Sequence, residues 1–158
     1  MHIETWQAAY RGLLASDYLD GLGAELEQRG VWWDRQIADA EPHRWTQLVA
    51  EDVSGIAGFV TCGPSEGEDA DPTTGEVYAI YVHPRAWSHG LGRELLARAI
   101  ESLRAQGFRD AVLWMLEGNE RARRFYERAG WRTDGGVKTD RRGALEFREV
   151  RYRAALEA

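Results

Sequence analysis

Residues 75–107 read GEVYAIYVHPRAWSHGLGRELLARAIESLRAQG, and the fold follows from the way this stretch changes its apolar period. Residues 77–82 form a nearly unbroken apolar run rich in β-branched and aromatic side chains, the pattern of a strand covered on both faces. His83-Pro84 closes the run, because the residue before proline is biased to extended geometry and proline cannot donate to a ladder. From Leu91 onward, Leu91, Leu95, Leu96, Ala99, Ile100 and Leu103 fall on one helical stripe. Gly107 sits where a left-handed residue would stop that helix.

Between strand and helix lies Ser88-His89-Gly90-Leu91-Gly92. Two glycines let backbone approach a ligand, and the unpaired N–H groups of the helix start point there with the positive end of the helix dipole. Such a turn suits a phosphate or diphosphate; glycines at a helix start also occur for conformational reasons alone. A dinucleotide fingerprint would need a third glycine where Leu95 stands, and no Walker string occurs. The strand–turn–helix unit resembles the GCN5-related N-acetyltransferases, whose signature is Q/R-x-x-G-x-G/A, with Trp87 in the first position here. In that family the loop cradles the pyrophosphate of acetyl-CoA through backbone N–H groups, which makes His89, Gly90, Leu91 and Gly92 the expected cofactor contacts.

Composition bounds the rest. With 158 residues the chain is long enough for one domain, drawn as 1–158, with a real core. Hydrophobic residues at 44% and charged ones at 29% describe an ordinary globule, and the net charge of −6 argues against a nucleic-acid surface while suiting a cationic substrate. The single cysteine, Cys62, excludes an internal disulfide and a multi-cysteine metal centre, so no metal is expected. No apolar run reaches a membrane span and no secretory leader opens the chain, which gives a cytoplasmic expectation without a membrane partner. Seven tryptophans and six tyrosines are more than a core needs, and part of them is expected to line an aromatic pocket.

Along the chain, Ile3, Trp6, Tyr10 and Leu13 recur at helical spacing, so a first helix begins almost at Met1. Family members usually place a strand before it; no such strand is expected in this sequence, which would leave a sheet edge to another segment, a partner chain or solvent. Ser16-Asp17 is expected to cap a short turn through Leu22, and a second helix is expected over residues 24–40 with Leu26, Trp33 and Ile37 inward. Residues 45–50 and 55–62 read as an antiparallel pair, and residues 63–74 as a polar acidic loop. Residues 111–116 form another buried strand. Asn119 then caps a helix carrying Ala122, Phe125, Tyr126 and Ala129, stopped by Gly130. Strands from Trp131 and over residues 145–152 follow, with joints near Gly135-Gly136 and Arg141-Arg142-Gly143. The expected fold is α/β, a mixed and mostly antiparallel sheet flanked by helices, of the acetyltransferase kind rather than a regular Rossmann alternation.

Acetyl transfer from a thioester to an amine needs a proton acceptor, a donor to the developing oxyanion and a proton for the leaving thiolate. Glu76 opens the central strand, and alternation puts it on one face with Tyr78, Ile80 and Val82. It stands fourteen residues before Gly90, the spacing of the base in the GCN5-like histone acetyltransferases, and the resemblance makes it the expected base; binding a substrate ammonium or sitting solvated at a strand end are the alternatives. Asn119 and Tyr126, seven residues apart, match the family's Asn–Tyr pair, which implies an asparagine on the pantetheine arm and a tyrosine donating to the CoA sulfur. Tyr126 could otherwise be a core aromatic beside Phe125. By the same resemblance the oxyanion donor is a backbone N–H near Tyr81 or Val82, with the pantetheine arm in the gap beside that strand. His83, before proline, reads as a turn residue, while Arg85 and His89 flank the loop. Arg121, Arg123 and Arg124 are candidates for the 3′-phosphate, or a solvated face. Tyr10, Tyr18, Trp32 and Tyr78 are candidates for the acceptor pocket.

The resemblance thus implies an N-acetyltransferase using acetyl-CoA as co-substrate by direct transfer in a ternary complex. The acceptor is a small-molecule or peptide amine, and a homodimer is the family's common assembly. Cys62 lacks an activating neighbour, so an acetyl-cysteine intermediate is not expected. A non-catalytic acyl-CoA-binding or sensor domain, and a nucleotide-phosphate enzyme of another fold, remain open at this point.

Overall fold

A computed structural model of the chain describes residues 1–25, 30, 31, 35, 44–67, 70–142 and 145–156. In chain order these hold helices α1 (His2–Ala9) and α2 (Ser16–Gly21), then strands β1 (Thr46–Asp52), β2 (Gly55–Pro64) and β3 (Thr74–Val82). Helix α3 (Leu91–Ala105), β4 (Asp110–Leu116), α4 (Glu120–Arg128), β5 (Arg132–Arg142) and β6 (Leu145–Ala155) follow. The sheet has six strands in the order β1-β2-β3-β4-β6-β5, antiparallel throughout except where β3 runs parallel to β4. This is the mixed, mostly antiparallel α/β architecture that the sequence pattern implies.

The apolar stripe of α3 packs as its spacing requires. Leu95, Leu96, Ala99 and Leu103 are buried against Val60, Cys62, Val77, Leu113 and Met115, and Tyr126, Trp131 and Tyr152 close the same core. On the other face, Trp6, Leu19 and Leu22 form a smaller cluster that Tyr81 joins. Gly107, at φ +90°, ends α3, and Asn119 Oδ1 accepts from the Ala122 N–H at 3.1 Å to start α4.

Several expectations change. The first helix stops at Ala9 rather than continuing to Leu13, which is exposed; Gly12 turns the chain at φ +85°. Position Ala15, not Ser16 or Asp17, caps α2, with no side-chain bond. Gly135-Gly136 does not join two strands; it lies inside β5, where the pairing with β6 slips between Thr133 and Val137. The helix expected over residues 24–40 falls largely outside the described residues, and with it Leu26, Trp32, Trp33 and Ile37. The outer edge of β1 has no strand partner among the described residues, and it is blunted by a slip at Ala50/Glu51 and by the charges of Glu51 and Asp52.

The feature that positions the site is an irregularity in β3. Against β2 the register runs Thr61↔Ala79 and then Cys62↔Val77, so Tyr78 is an extra residue in β3. Alternation therefore changes phase there. Glu76 and Tyr78 do not share a face with Ile80 and Val82: those two join Val77 on the α3 side, while Tyr81 turns to the α1 cluster. The β3–β4 pairing ends at Val77↔Leu113, so from Tyr78 onward the two strands separate.

Close packing of β2, β3 and α3 gives a direct check. A Cβ on Gly58 would lie 2.8 Å from the Tyr81 carbonyl oxygen and 3.0 Å from Leu95 Cδ1, whereas one on Gly21 would meet nothing within 4 Å. Gly58→Ala should lower stability in urea unfolding by about 1–3 kcal/mol, and Gly21→Ala should not lower it.

Candidate active site

The separation of β3 from β4 leaves backbone groups of β3 without a ladder partner. His83 N–H donates to the Ala57 oxygen of β2 at 2.8 Å. The two-residue alternation of a strand then turns Tyr81 N–H toward β2 and leaves Ile80 and Val82 N–H facing the gap. Of the two oxyanion donors expected, the geometry thus favours Val82 over Tyr81. The Val82 carbonyl, on the gap side, accepts from Trp87 Nε1 at 2.7 Å.

The glycine turn closes one end of this gap. Gly90 adopts φ +86° as the residue before α3, a conformation costly for a side chain, and Ser88 before it is also left-handed at φ 66°. Gly90 oxygen accepts from Glu94 N–H at 3.1 Å, beginning the helix. Among the described residues, no acceptor takes the amides of residues 89–93. They converge with the α3 dipole on one space, an arrangement that attracts an anion.

Charge reinforces that end. Arg93, Arg121, Arg124 and Arg128 line the cavity, although the chain as a whole carries −6. The Arg121 guanidinium lies 3.7 Å over the Trp87 ring. Arg123 is not among them, since its guanidinium is held by Glu120 at 2.6 Å and Glu127 at 3.2 Å. Arg85 also points elsewhere, donating to Asp52 at 3.0 Å and to the Gly55 and Ile56 carbonyls.

One cavity of about 1000 Å³ gathers most of the expected residues: Tyr10, Tyr78, Tyr81, Val82, residues 89–92, Asn119 and Tyr126. It passes from the arginines of α3 and α4, through the strand gap, to Tyr10 of α1. There it meets a carboxylate the sequence reading had not singled out, Glu149 of β6, with Phe147 and Trp114. The only signal for Glu149 was its alternation with Arg151 on the last strand. Glu149 is paired with Lys138 at 3.2 Å. Tyr18 packs in the small α1–α2 cluster instead of on the cavity, and Trp32 lies outside the described residues.

Glu76 does not line the cavity. It is buried beside Tyr78, whose hydroxyl donates to the Pro64 carbonyl, and its own carboxylate accepts from Glu66 N–H at 3.2 Å. Burial raises the Glu76 pKa, against the opposing pull of the Glu66 amide and Lys138. Burial also pushes Tyr126 up, with the Tyr81 hydroxyl adding to it, so the phenol keeps its proton at neutral pH. Tyr10 is raised for the same reason, with contributions from Tyr81, Tyr126 and Glu149. Cys62 is pushed up to about 11 by burial and is no nucleophile at neutral pH.

The arrangement combines an anion cradle, an open strand edge, a protonated phenol and, at the far end, the Glu149 carboxylate with its Lys138 partner. A family model described as the acetyltransferase (GNAT) family matches residues 6–131. The uncharacterized N-acetyltransferase YuaI of Bacillus subtilis is 34% identical over 123 residues, which are 75% of this chain and 64%, just under two thirds, of that protein. A structure from Desulfovibrio desulfuricans attributed to the GNAT family superposes with a TM-score of 0.68 at 24% identity, covering 99% of this chain and 92% of that one. The PaiA N-acetyltransferase of Thermoplasma acidophilum, solved in complex with coenzyme A, gives 0.63 at 17% identity, covering 94% and 86%.

The state of Glu76 can be read from stability. A carboxyl whose pKa is higher folded than unfolded favours folding below the unfolded value and loses that advantage as pH rises through the folded value. Glu76→Gln should therefore raise Tm relative to the parent protein more at pH 8 than at pH 4, as followed by thermal unfolding across that range.

Proposed function

The chain belongs to the GNAT family of acetyltransferases, and from that premise we propose that it transfers an acetyl group from acetyl-CoA to an amine, directly and within a ternary complex. The observation that carries this reading is the pairing of free amides at residues 89–93 with a strand edge left open from Tyr78 to Val82. The first would take the diphosphate of acetyl-CoA and the second its pantetheine arm, added alongside β3 like an extra strand. Bound there, acetyl-CoA supplies the acetyl group as a thioester.

The chain's own residues then have separate tasks. Val82 N–H donates to the oxyanion as the amine attacks the carbonyl carbon. Tyr126 gives its phenolic proton to the sulfur as the carbon–sulfur bond breaks. Asn119, whose Oδ1 is committed to the helix cap, has its Nδ2 left for the arm. Glu149, with Tyr10 and Tyr78, receives the acceptor amine at the far end of the cavity, the amine taking the place Lys138 holds beside the carboxylate. Glu76 accepts the proton the amine must lose, and because it lies outside the cavity lining the transfer runs through water. Holding donor and acceptor in one cavity supplies much of the rate.

The acceptor class is a small-molecule or peptide amine, and we place the reaction in the cytoplasm, where a lone reduced cysteine such as Cys62 is ordinary. A non-catalytic acyl-CoA sensor is the second reading, favoured by the position of Glu76 off the cavity.

Release of CoA thiol from acetyl-CoA, followed across an amine panel, separates the two. The transferase reading expects release with at least one amine, a kcat about 10²-fold lower for Glu76→Gln and lower by about tenfold for Tyr126→Phe. Glu149→Gln should chiefly raise KM for the amine. Stabilisation by acetyl-CoA with no release for any amine would instead favour the sensor.

A further inference from the structure

Trp87 occupies the first position of the glycine-turn motif, where a glutamine or arginine would fit the pattern quoted above. Its side chain makes two contacts that point the same way. The indole N–H donates to Val82 oxygen at 2.7 Å, which ties the turn to the last residue of β3 where no β4 partner remains. The ring face carries the Arg121 guanidinium at 3.7 Å, brought in from the first turn of α4.

Both residues line the cavity, next to the open amides. Among the described residues no carboxylate pairs with Arg121, in contrast to Arg123 two positions on, which is held by two glutamates. Partial burial is the sole cause that moves the Arg121 pKa, and it moves it down, the signature of a cation without a counter-charge. A guanidinium stacked on a ring presents its N–H donors edge-on in its own plane, so the stack fixes its position without using its hydrogen bonds.

Building on the acetyl-CoA reading, we propose that Trp87 and Arg121 act as one positioning unit: the indole holds the guanidinium over the turn, and the guanidinium contacts a phosphate of the donor. The cation that the motif would place in the turn itself is thus supplied from the neighbouring helix. Trp87 is a positioning residue, acting through Arg121 and through the end of β3.

The test is binding of two donors to the purified protein, acetyl-CoA by calorimetry and S-acetyl-pantetheine, which has neither diphosphate nor nucleotide, by ligand-observed NMR at millimolar concentration. Arg121→Met should weaken acetyl-CoA about tenfold, the scale of one charge-assisted phosphate contact, and leave S-acetyl-pantetheine within twofold. Trp87→Leu should weaken acetyl-CoA at least as much, and adding Arg121→Met to it should cost no more than a further twofold. Trp87→Phe, which keeps a ring face for the guanidinium, should recover part of the loss. Unchanged acetyl-CoA binding in Arg121→Met, equal loss for both donors, or losses that multiply in the double variant would each overturn the unit while leaving the acetyl-CoA reading standing. A parent protein that binds neither donor would overturn that reading and this inference together.

Discussion

A single surplus residue governs this molecule. Tyr78 has no opposite number in β2, and at that point β3 changes the face its side chains present and stops pairing with β4. Each consequence would be a cost on its own: unpaired amides in the middle of a sheet, and a hydrophobic strand out of phase with its neighbours. Together they make a slot. The phase change sends Ile80 and Val82 into the core under α3 and Tyr81 toward α1, so the strand is held firmly from both sides while its edge stays open. Trp87, bonded to the Val82 carbonyl, anchors the open end.

The cavity running through this slot gathers its cations at one end, and that asymmetry follows from which elements reach it. The helices α3 and α4 bring their positive ends and their arginines to one side of the sheet, and β6 brings Glu149 to the other. On the reading proposed above, the phosphate-rich donor would enter at the arginine end and the acceptor at the other, the two meeting at the strand gap. Burial acts on the two titratable side chains to which the proposed reaction gives proton transfer. It holds Tyr126 as a phenol and makes Glu76 a better proton acceptor than a solvated carboxylate would be at neutral pH.

Much of this was legible in the sequence, and the misses have physical reasons. The strand, the turn and the stripe of α3 could be read because each is a local period, and the Asn119 cap and the glycine stops are local geometry. The face of Ile80 and Val82 was misassigned because a bulge is set by the partner strand, which alternation in one segment cannot reveal. Gly135-Gly136 looked like a turn for the same reason; a positive φ at Gly135 serves a bulge as well as a bend. Arg121, Arg123 and Arg124 look alike in the sequence, and only the placement of Glu120 and Glu127 beside Arg123 tells them apart. Glu149 stayed hidden because its meaning comes only from the strand order, which brings β6 next to β4.

The open edge of β3 is the claim on which the donor site, the oxyanion donor and the acceptor mouth all depend. Amide hydrogen exchange read residue by residue, with and without acetyl-CoA, reaches it most directly. Ile80 and Val82 should exchange fast in the free protein and slow markedly when acetyl-CoA is added, while Tyr81, bonded within the sheet, is already protected. Protection of Ile80 and Val82 before any ligand is present, or exchange unchanged by acetyl-CoA, would contradict it.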